Sequence, residues 1–245
     1  MIKHEGEYFI SFKIDEFLYF TTTKKLVEQT SQIKDLPSLP LVSKEKTLSL
    51  YNFVLKCPYV FIDKSILMCE QIHGDKIINP VQSDLECISG NLKIDSLAID
   101  YKIFLKTDGI ISSNKGEIIA VFTADCIPLF VIDRKNKWFG LIHVGRKGLQ
   151  MGIIENLIGM LNQHGASLNN TIFIAGPHIC ENCYIVNGEK FSLEKTLISK
   201  LKSFGIKQEQ FINSEFCTYH HNERFFSYRK NATPFRLLSV ITKTS

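Results

Sequence analysis

No stretch of this 245-residue chain approaches the ~18 consecutive apolar residues that a membrane span requires. The first residues, MIKHEGEYFISFKIDEF, lack an apolar segment followed by a small-residue cleavage site, so the expected location is cytoplasmic, with no membrane partner. Charge of one sign is also not in large excess. The 29 basic and 25 acidic residues leave a net charge of +4, and no basic stripe is interleaved with aromatics. Nucleic acid is therefore not an expected partner, whereas a small anion such as phosphate is compatible with the balance. The phosphate-loop pattern GxxxxGKS is absent, and so are internal repeats and low-complexity tracts. The seven cysteines are odd in number and irregularly placed, which argues for reduced thiols rather than a disulfide framework.

What the chain does have is ordinary globular composition, 44 % hydrophobic and 22 % charged, with enough length for a sizeable core. YFISF and FLYF in residues 1–20 read as strands, and residues 21–50 read as loops. FVLKCPYVFI and SILMCEQIHGDKII read as strand-like, and residues 80–100 as irregular. IIAVFTADCIPLFVI (118–132) is a long buried strand run, DRKNK (133–137) a polar turn, and WFGLIHVG (138–145) the return strand. Helical spacing predicts one helix over 148–164 with Gly165 as its stop, and another over 192–205 with Leu193, Leu197, Ile198 and Leu201 on one face. NNTIFIAGPHI and RLLSVITK complete the strands. Strands and helices mix without regular βαβ alternation, so the expected class is α+β with mixed sheets flanked by helices.

Two of these apolar runs each carry one metal-grade side chain, Cys126 in TADCIPLF and His143 in IHVG. A hairpin loop centred between Arg134 and Lys135 places them directly opposite, with Cβ atoms ~4.5–5.5 Å apart. That spacing suits a thiolate and an imidazole sharing one zinc. The best third ligand is His73 in QIHGD, where Gly74 lets the backbone turn. Three ligands with an open fourth position are the catalytic arrangement. The competing reading makes Cys126 a small buried hydrophobe and His143 a hydrogen-bonded rim residue.

Read in order, QIHGD, TDGIIS, TADCIPLF, IHVGRKGL, GPHICENCYIV, FCTYHH and FFSYRK resemble the multicopper polyphenol oxidase, or laccase-domain (YfiH), family from about residue 68 to the C-terminus. The resemblance implies one α+β domain over 1–245, with a divergent part at 1–56 and an insertion at 80–106. It implies a catalytic zinc, with copper as the alternative metal, on His73, Cys126 and His143. It further implies a purine nucleoside phosphorylase acting on adenosine, inosine and methylthioadenosine with phosphate, with adenosine deamination as an added activity. Lys147, Arg229 and Arg236 are the matching candidates for holding phosphate, and FFSYR also offers aromatic faces to a purine. A peptidoglycan-precursor editing amidase, a copper polyphenol oxidase and a non-catalytic metal-binding protein are the alternatives. The oxidase fits poorly, because an oxygen-reducing copper cluster needs many clustered histidines and this chain has seven, scattered.

The chain departs from the family pattern in three places. Arg146-Lys147 replaces Trp-Arg, which keeps a charge but loses the bidentate fork. The family's N-terminal Gly-Gly-Val-Ser segment has no counterpart in residues 16–56. GPHIC replaces Gly-Pro-Cys-Ile-Gly, moving a thiol and adding His178. Two readings stand for Cys180-Glu-Asn-Cys183: a second metal site completed by Cys217 with His220-His221, or Cys183 at the family's Cys-Tyr position with Cys180 incidental. Asp108 and Asp125 are minor acid/base candidates, and a strand would turn Asp125 to the face opposite Cys126.

Overall fold

Most of the apolar runs are short, continuous and buried on both faces, and they build a chain of strands. The computed structural model describes residues 2–28, 36, 38–82, 84–94 and 96–244. The N-terminal runs form β1 (Ile2–Glu5), β2 (Phe9–Ile14) and β3 (Phe17–Thr22), followed by α1 (Lys24–Glu28) and α2 (Lys44–Lys56). Then come β4 (Ser65–Cys69), β5 (Ile77–Ile78), β6 (Cys87–Ile94), β7 (Leu97–Phe104), β8 (Gly109–Ser112), β9 (Glu117–Thr123), β10 (Ile127–Asp133) and β11 (Phe139–Val144). Helices α3 (Arg146–Met151) and α4 (Ile153–Gln163) precede β12 (Thr171–Ala175) and the small hairpin β13 (Ile185–Val186) and β14 (Glu189–Lys190). The chain closes with α5 (Leu193–Ser203), β15 (Phe211–Asn213), α6 (Tyr228–Asn231) and β16 (Leu237–Lys243).

Two mixed sheets stack face to face. The larger has the order β1-β2-β3-β16-β9-β4-β7-β6, the smaller β15-β12-β10-β11-β8-β5. Between them lies a core of Phe12, Phe17, Tyr19, Val121, Phe130, Phe139 and their neighbours. The outer face of the large sheet is covered by Leu50, Phe53 and Val54 of α2. The outer face of the small sheet is covered by Ile154, Leu157 and Leu161 of α4 and Leu197 and Leu201 of α5. The result is a single α+β domain in four layers, held by burial worth about 1.5–3 kcal/mol per large apolar side chain. Among the described residues, no helix is long and apolar enough to cross a membrane.

Three passages carry the chain from the large sheet to the small one: β4 to β5, β7 to β8 and β9 to β10. The run 118–132 is thus not one strand. It breaks at Ala124–Cys126, where Asp125 adopts a φ of 91° and the chain changes sheet. Apolar content reports burial, and both halves are buried; it carries no mark of which sheet a strand joins.

Other expectations need correction. FVLK is the end of α2, and Pro58–Val60 is a 3₁₀ turn. Its apolar residues follow helical spacing from Leu50, and the Ser43 side chain caps the first turn by accepting from the Lys46 N–H. The loop reading of 21–50 fails for that helix, and its part at 29–35 and 37 lies outside the described residues. Residues 80–100 carry most of the β6–β7 hairpin, where the turn-type residues Ser89, Gly90 and Asn91 inside β6 hide the alternation. The helix expected over 148–164 is two, divided at Gly152, whose φ of 106° interrupts the helical path. The β10–β11 register pairs Pro128 with His143, so Cys126 is not opposite His143. The turn is displaced because the Asp133 N–H donates to Trp138 O at 2.8 Å and the Asp133 carboxylate accepts from the Lys135 N–H at 3.0 Å. The shift is two residues, which preserves the face on which each side chain lies.

Candidate metal centre

Each of the three passages from the large sheet to the small one delivers one residue to the same point. The first, after β4, is QIHGD. Gln71 and His73 both have φ of 62°, a left-handed conformation costing roughly 1–2 kcal/mol each in a side-chain-bearing residue. Hydrogen bonds hold it there. The Gln71 side-chain amide donates to Phe122 O at 2.7 Å and accepts from the Phe122 N–H at 2.9 Å, acting as an extra strand partner for β9. The second passage brings Asp108, which is fully buried. Its Oδ1 accepts from the His73 N–H at 2.9 Å and its Oδ2 from the Gly74 N–H at 2.7 Å. The third passage carries Cys126.

His143 comes from the end of β11 and is 3 % exposed. Its Nδ1 lies 2.8 Å from Asp108 Oδ1. An ionised carboxylate only accepts, so Nδ1 carries the proton and Nε2 is left as the outward donor atom. The His73 and His143 rings meet edge to face at 4.7 Å between centroids. The ligand atoms of His73, Cys126 and His143 all lie within 4.8 Å of one another. Gly145, at the start of α3, leaves the room this requires: a Cβ there would stand 3.2 Å from both Cys126 Sγ and His73 Cδ2.

The electrostatics favour ligation. Burial alone would push the Cys126 thiol up, but His143 and His73 overrule it and bring it down to about 6. Burial likewise opposes protonation of His143, while Cys126 and Asp108 raise it to about 9. The protein without metal therefore holds a thiolate beside an imidazolium. One thiolate, two imidazoles and a carboxylate orienting one of them fit zinc well, and the same donors accommodate copper.

These donors sit in a cleft of about 500 Å³. Lys147, Arg229 and Arg236 all line it, together with Arg146 and Lys46. The Arg229 guanidinium lies 4.8 Å over the Tyr184 ring and that of Arg236 5.6 Å over Tyr228. Lys46 has no signal of its own in the sequence, because it stands on α2 in the polar stretch that reads as loop. Its ammonium is pulled below its ordinary range by burial first and by the neighbouring charge of Arg236 second. The acidic side chain in this lining, Asp125, is already engaged: Oδ1 accepts from Thr218 Oγ1 and Oδ2 from the Arg229 N–H, both at 2.7 Å. It latches the FFSYR segment to the sheet crossing and is poorly placed for acid/base work. Asp108, also weighed as an acid/base group, is instead the partner of His143. Its signal, TDG, is that of any turn.

The structure also gathers Cys180, Cys183, Cys217 and His220 into a second group. His221 is not in it; its Nδ1 faces Cys217 O at 3.1 Å. His178 is buried with Nδ1 2.8 Å from Gly176 O.

Comparison with known proteins gives a consistent picture. The family model described as multi-copper polyphenol oxidoreductase laccase matches residues 52–192 and 189–244. A purine nucleoside phosphorylase of Clostridium acetobutylicum is 25 % identical over 99 % of both chains. Another, of Borreliella burgdorferi, is 27 % identical over 92 % of this chain and 93 % of its own. A purine nucleoside phosphorylase of Shigella flexneri is 27 % identical over 56 % of this chain, and the match spans 63 % of the relative's length. In fold, the crystal structure of YlmD from Geobacillus stearothermophilus superposes with a TM-score of 0.76 over 99 % of this chain and 98 % of its own, at 19 % identity.

Proposed function

The chain belongs to the multi-copper polyphenol oxidoreductase laccase family, and from that premise we propose that it is a metal-dependent purine nucleoside phosphorylase, cleaving adenosine, inosine and methylthioadenosine with phosphate. The observation that carries this reading is the coincidence of two features in one cleft: a three-donor group reaching its floor and five cations around it. Relatives at comparable identity bear the name purine nucleoside phosphorylase.

In this reading the cations do the binding. Phosphate carries up to two negative charges, and Lys46, Arg146, Lys147, Arg229 and Arg236 supply the field that captures and orients it. The purine lies against the aromatic lining, Tyr184, Tyr228 and Phe122. A phosphate oxygen then attacks the ribose C1′. The bond from C1′ to the purine nitrogen breaks, its electron pair leaves with the base, and the base takes up the proton given up by the monohydrogen phosphate as it becomes the sugar phosphate ester. Orientation of phosphate and base on opposite sides of C1′ is the main contribution asked of the side chains. Zinc held by His73, Cys126 and His143 would supply Lewis acidity at the cleft floor. Asp108 fixes the proton of His143 on Nδ1 and so keeps that ring in one orientation.

A second reading, adenosine deamination, is favoured by the same open three-donor arrangement. An oxygen-reducing copper oxidase is not favoured, since among the described residues the potential metal groups hold two histidines and one. The test is product analysis of zinc-loaded protein with adenosine, with and without phosphate. Adenine and ribose 1-phosphate formed only with phosphate support phosphorolysis. Inosine formed without phosphate supports deamination. No product from adenosine, inosine or methylthioadenosine overturns both and turns attention to the amidase or a non-catalytic role.

A further inference from the structure

The second group of metal-grade side chains stands apart from the cleft floor. Cys180, Cys183, Cys217 and His220 bring their ligand atoms within 4.8 Å of one another. All the cysteines of the chain are free of disulfides. The four residues come as two pairs, Cys-Glu-Asn-Cys and Cys-Thr-Tyr-His, each with two residues between its members. That is chelate spacing, and two such pairs make a four-ligand set.

Each pair stands on a turn built for it. In the first, the Cys183 N–H donates to Cys180 O at 3.1 Å. In the second, the His221 N–H donates to Cys217 O at 2.9 Å, folding His220 back over the sulfurs. A parallel bridge between His178 and Cys217 joins the turns, with the His178 N–H on Phe216 O at 3.1 Å and the Thr218 N–H on His178 O at 3.0 Å. The Cys180 N–H points at Cys217 Sγ at 3.3 Å, the kind of backbone donation that stabilises a thiolate ligand. Cys183 Sγ lies 3.1 Å from His220 Nε2. Cys217 belongs to the core beside α4 and α5, with Cys180 and Cys183 packed against it, but packing alone does not call for the His220 imidazole to be set against the sulfurs.

We propose that Cys180, Cys183, Cys217 and His220 form a second metal centre, a closed structural site for Zn(II). Three thiolates with one imidazole are a soft donor set, and four protein ligands leave no open position, so this centre holds structure rather than performing chemistry. What it holds is one wall of the cleft. Tyr184, next to Cys183, supports the Arg229 guanidinium, and Thr218, next to Cys217, bonds to Asp125. The centre is independent of the reaction assigned above and stands or falls on metal content alone.

The test is metal analysis of protein loaded with Zn(II) and desalted, paired with Co(II) substitution. Wild type is expected to keep about two zinc ions per chain, and Cys183→Ser and Cys126→Ser about one each. The cobalt form of Cys126→Ser should show intense sulfur-to-metal charge transfer with tetrahedral d–d bands, and Cys183→Ser should weaken both. Because a ligand variant can fail to fold, zinc release from wild type is also titrated with a mercurial. Release of about two zinc ions per chain supports the site. A zinc kept by Cys126→Ser and lost from Cys183→Ser supports the proposal even if the first centre stays empty. Cys126→Ser that keeps no zinc while wild type keeps one overturns it. So does a Cys180–Cys183 disulfide found in the intact mass of the metal-loaded protein.

Discussion

Asp108 and His143 meet at 2.8 Å, both buried, and the same carboxylate takes in the backbone N–H groups of His73 and Gly74. One side chain thus orients two of the three candidate ligands. Asp108→Asn keeps the shape but cannot accept all three N–H groups. Affinity of the first centre for zinc should fall about 10–100-fold, with little change in secondary structure. Chelator competition in a Cys183→Ser background, with circular dichroism alongside, checks it.

Metal binding at this centre should be proton-coupled. The Cys126 contribution to metal-free stability is complete above the thiol's ordinary value of 9.0 and is lost as pH falls through about 6. That of His143 is complete below the ordinary 6.5 and is lost as pH rises through about 9. The two slopes oppose each other across that window, so the pair leaves metal-free stability nearly flat there. Zinc, by contrast, needs thiolate and neutral imidazole, and must expel the His143 proton. Its apparent affinity should rise ~tenfold per pH unit through the window and level off above it. Calorimetry in buffers of different ionisation enthalpy would count the proton.

Gly145 has a φ of −101°, which alanine adopts freely, so Gly145→Ala isolates a steric effect. Its methyl would press on Cys126 Sγ and His73 Cδ2 at 3.2 Å. Metal-free stability should drop by no more than about 1–3 kcal/mol. Zinc affinity should fall disproportionately, as denaturant titration and metal competition on the same preparation would show.

Asp125→Asn should unlatch the FFSYR segment. The new amide can accept from either Thr218 Oγ1 or the Arg229 N–H, but not from both in the present geometry. The expected cost is about 1–3 kcal/mol of stability. In a phosphorolysis assay KM for phosphate should rise more than kcat falls, because Arg229 loses its fixed position.

Lys46→Met tests the cation that the sequence reading passed over. It removes a charge crowded by Arg236. If phosphate binds where the cations converge, KM for phosphate should rise about tenfold. Zinc content should be unchanged.

The residues explain what was legible in the sequence. The helix of Leu193, Leu197 and Leu201 was readable because its apolar stripe is bounded by a capping serine and a terminal glycine. His73, Cys126 and His143 do converge, although by a different register from the one inferred. The even shift in the β10–β11 hairpin kept the side chains on the inferred face. The break at Ala124–Cys126 was hidden because burial is continuous through it; its trace is the charged Asp125 inside an apolar run. The partnership of Asp108 with His143 was invisible because it joins positions 35 residues apart through a sheet crossing. Lys46 was missed with its helix. Cys217 and His220 leave two readings open in the sequence, because Cys-Thr-Tyr-His does not repeat the Cys-x-x-Cys pattern of Cys180 and Cys183.

The three passages between the sheets have a mechanical consequence. His73, Asp108 and Cys126 each lie where the chain steps from one leaf of the sandwich to the other, so an ion held there would act as a rivet through both leaves. Sliding of one sheet over the other would have to stretch bonds to the ion as well as shear the apolar layer. Loading the ion should therefore slow amide exchange in β9 and β10 together, and losing it should let the leaves loosen as a pair.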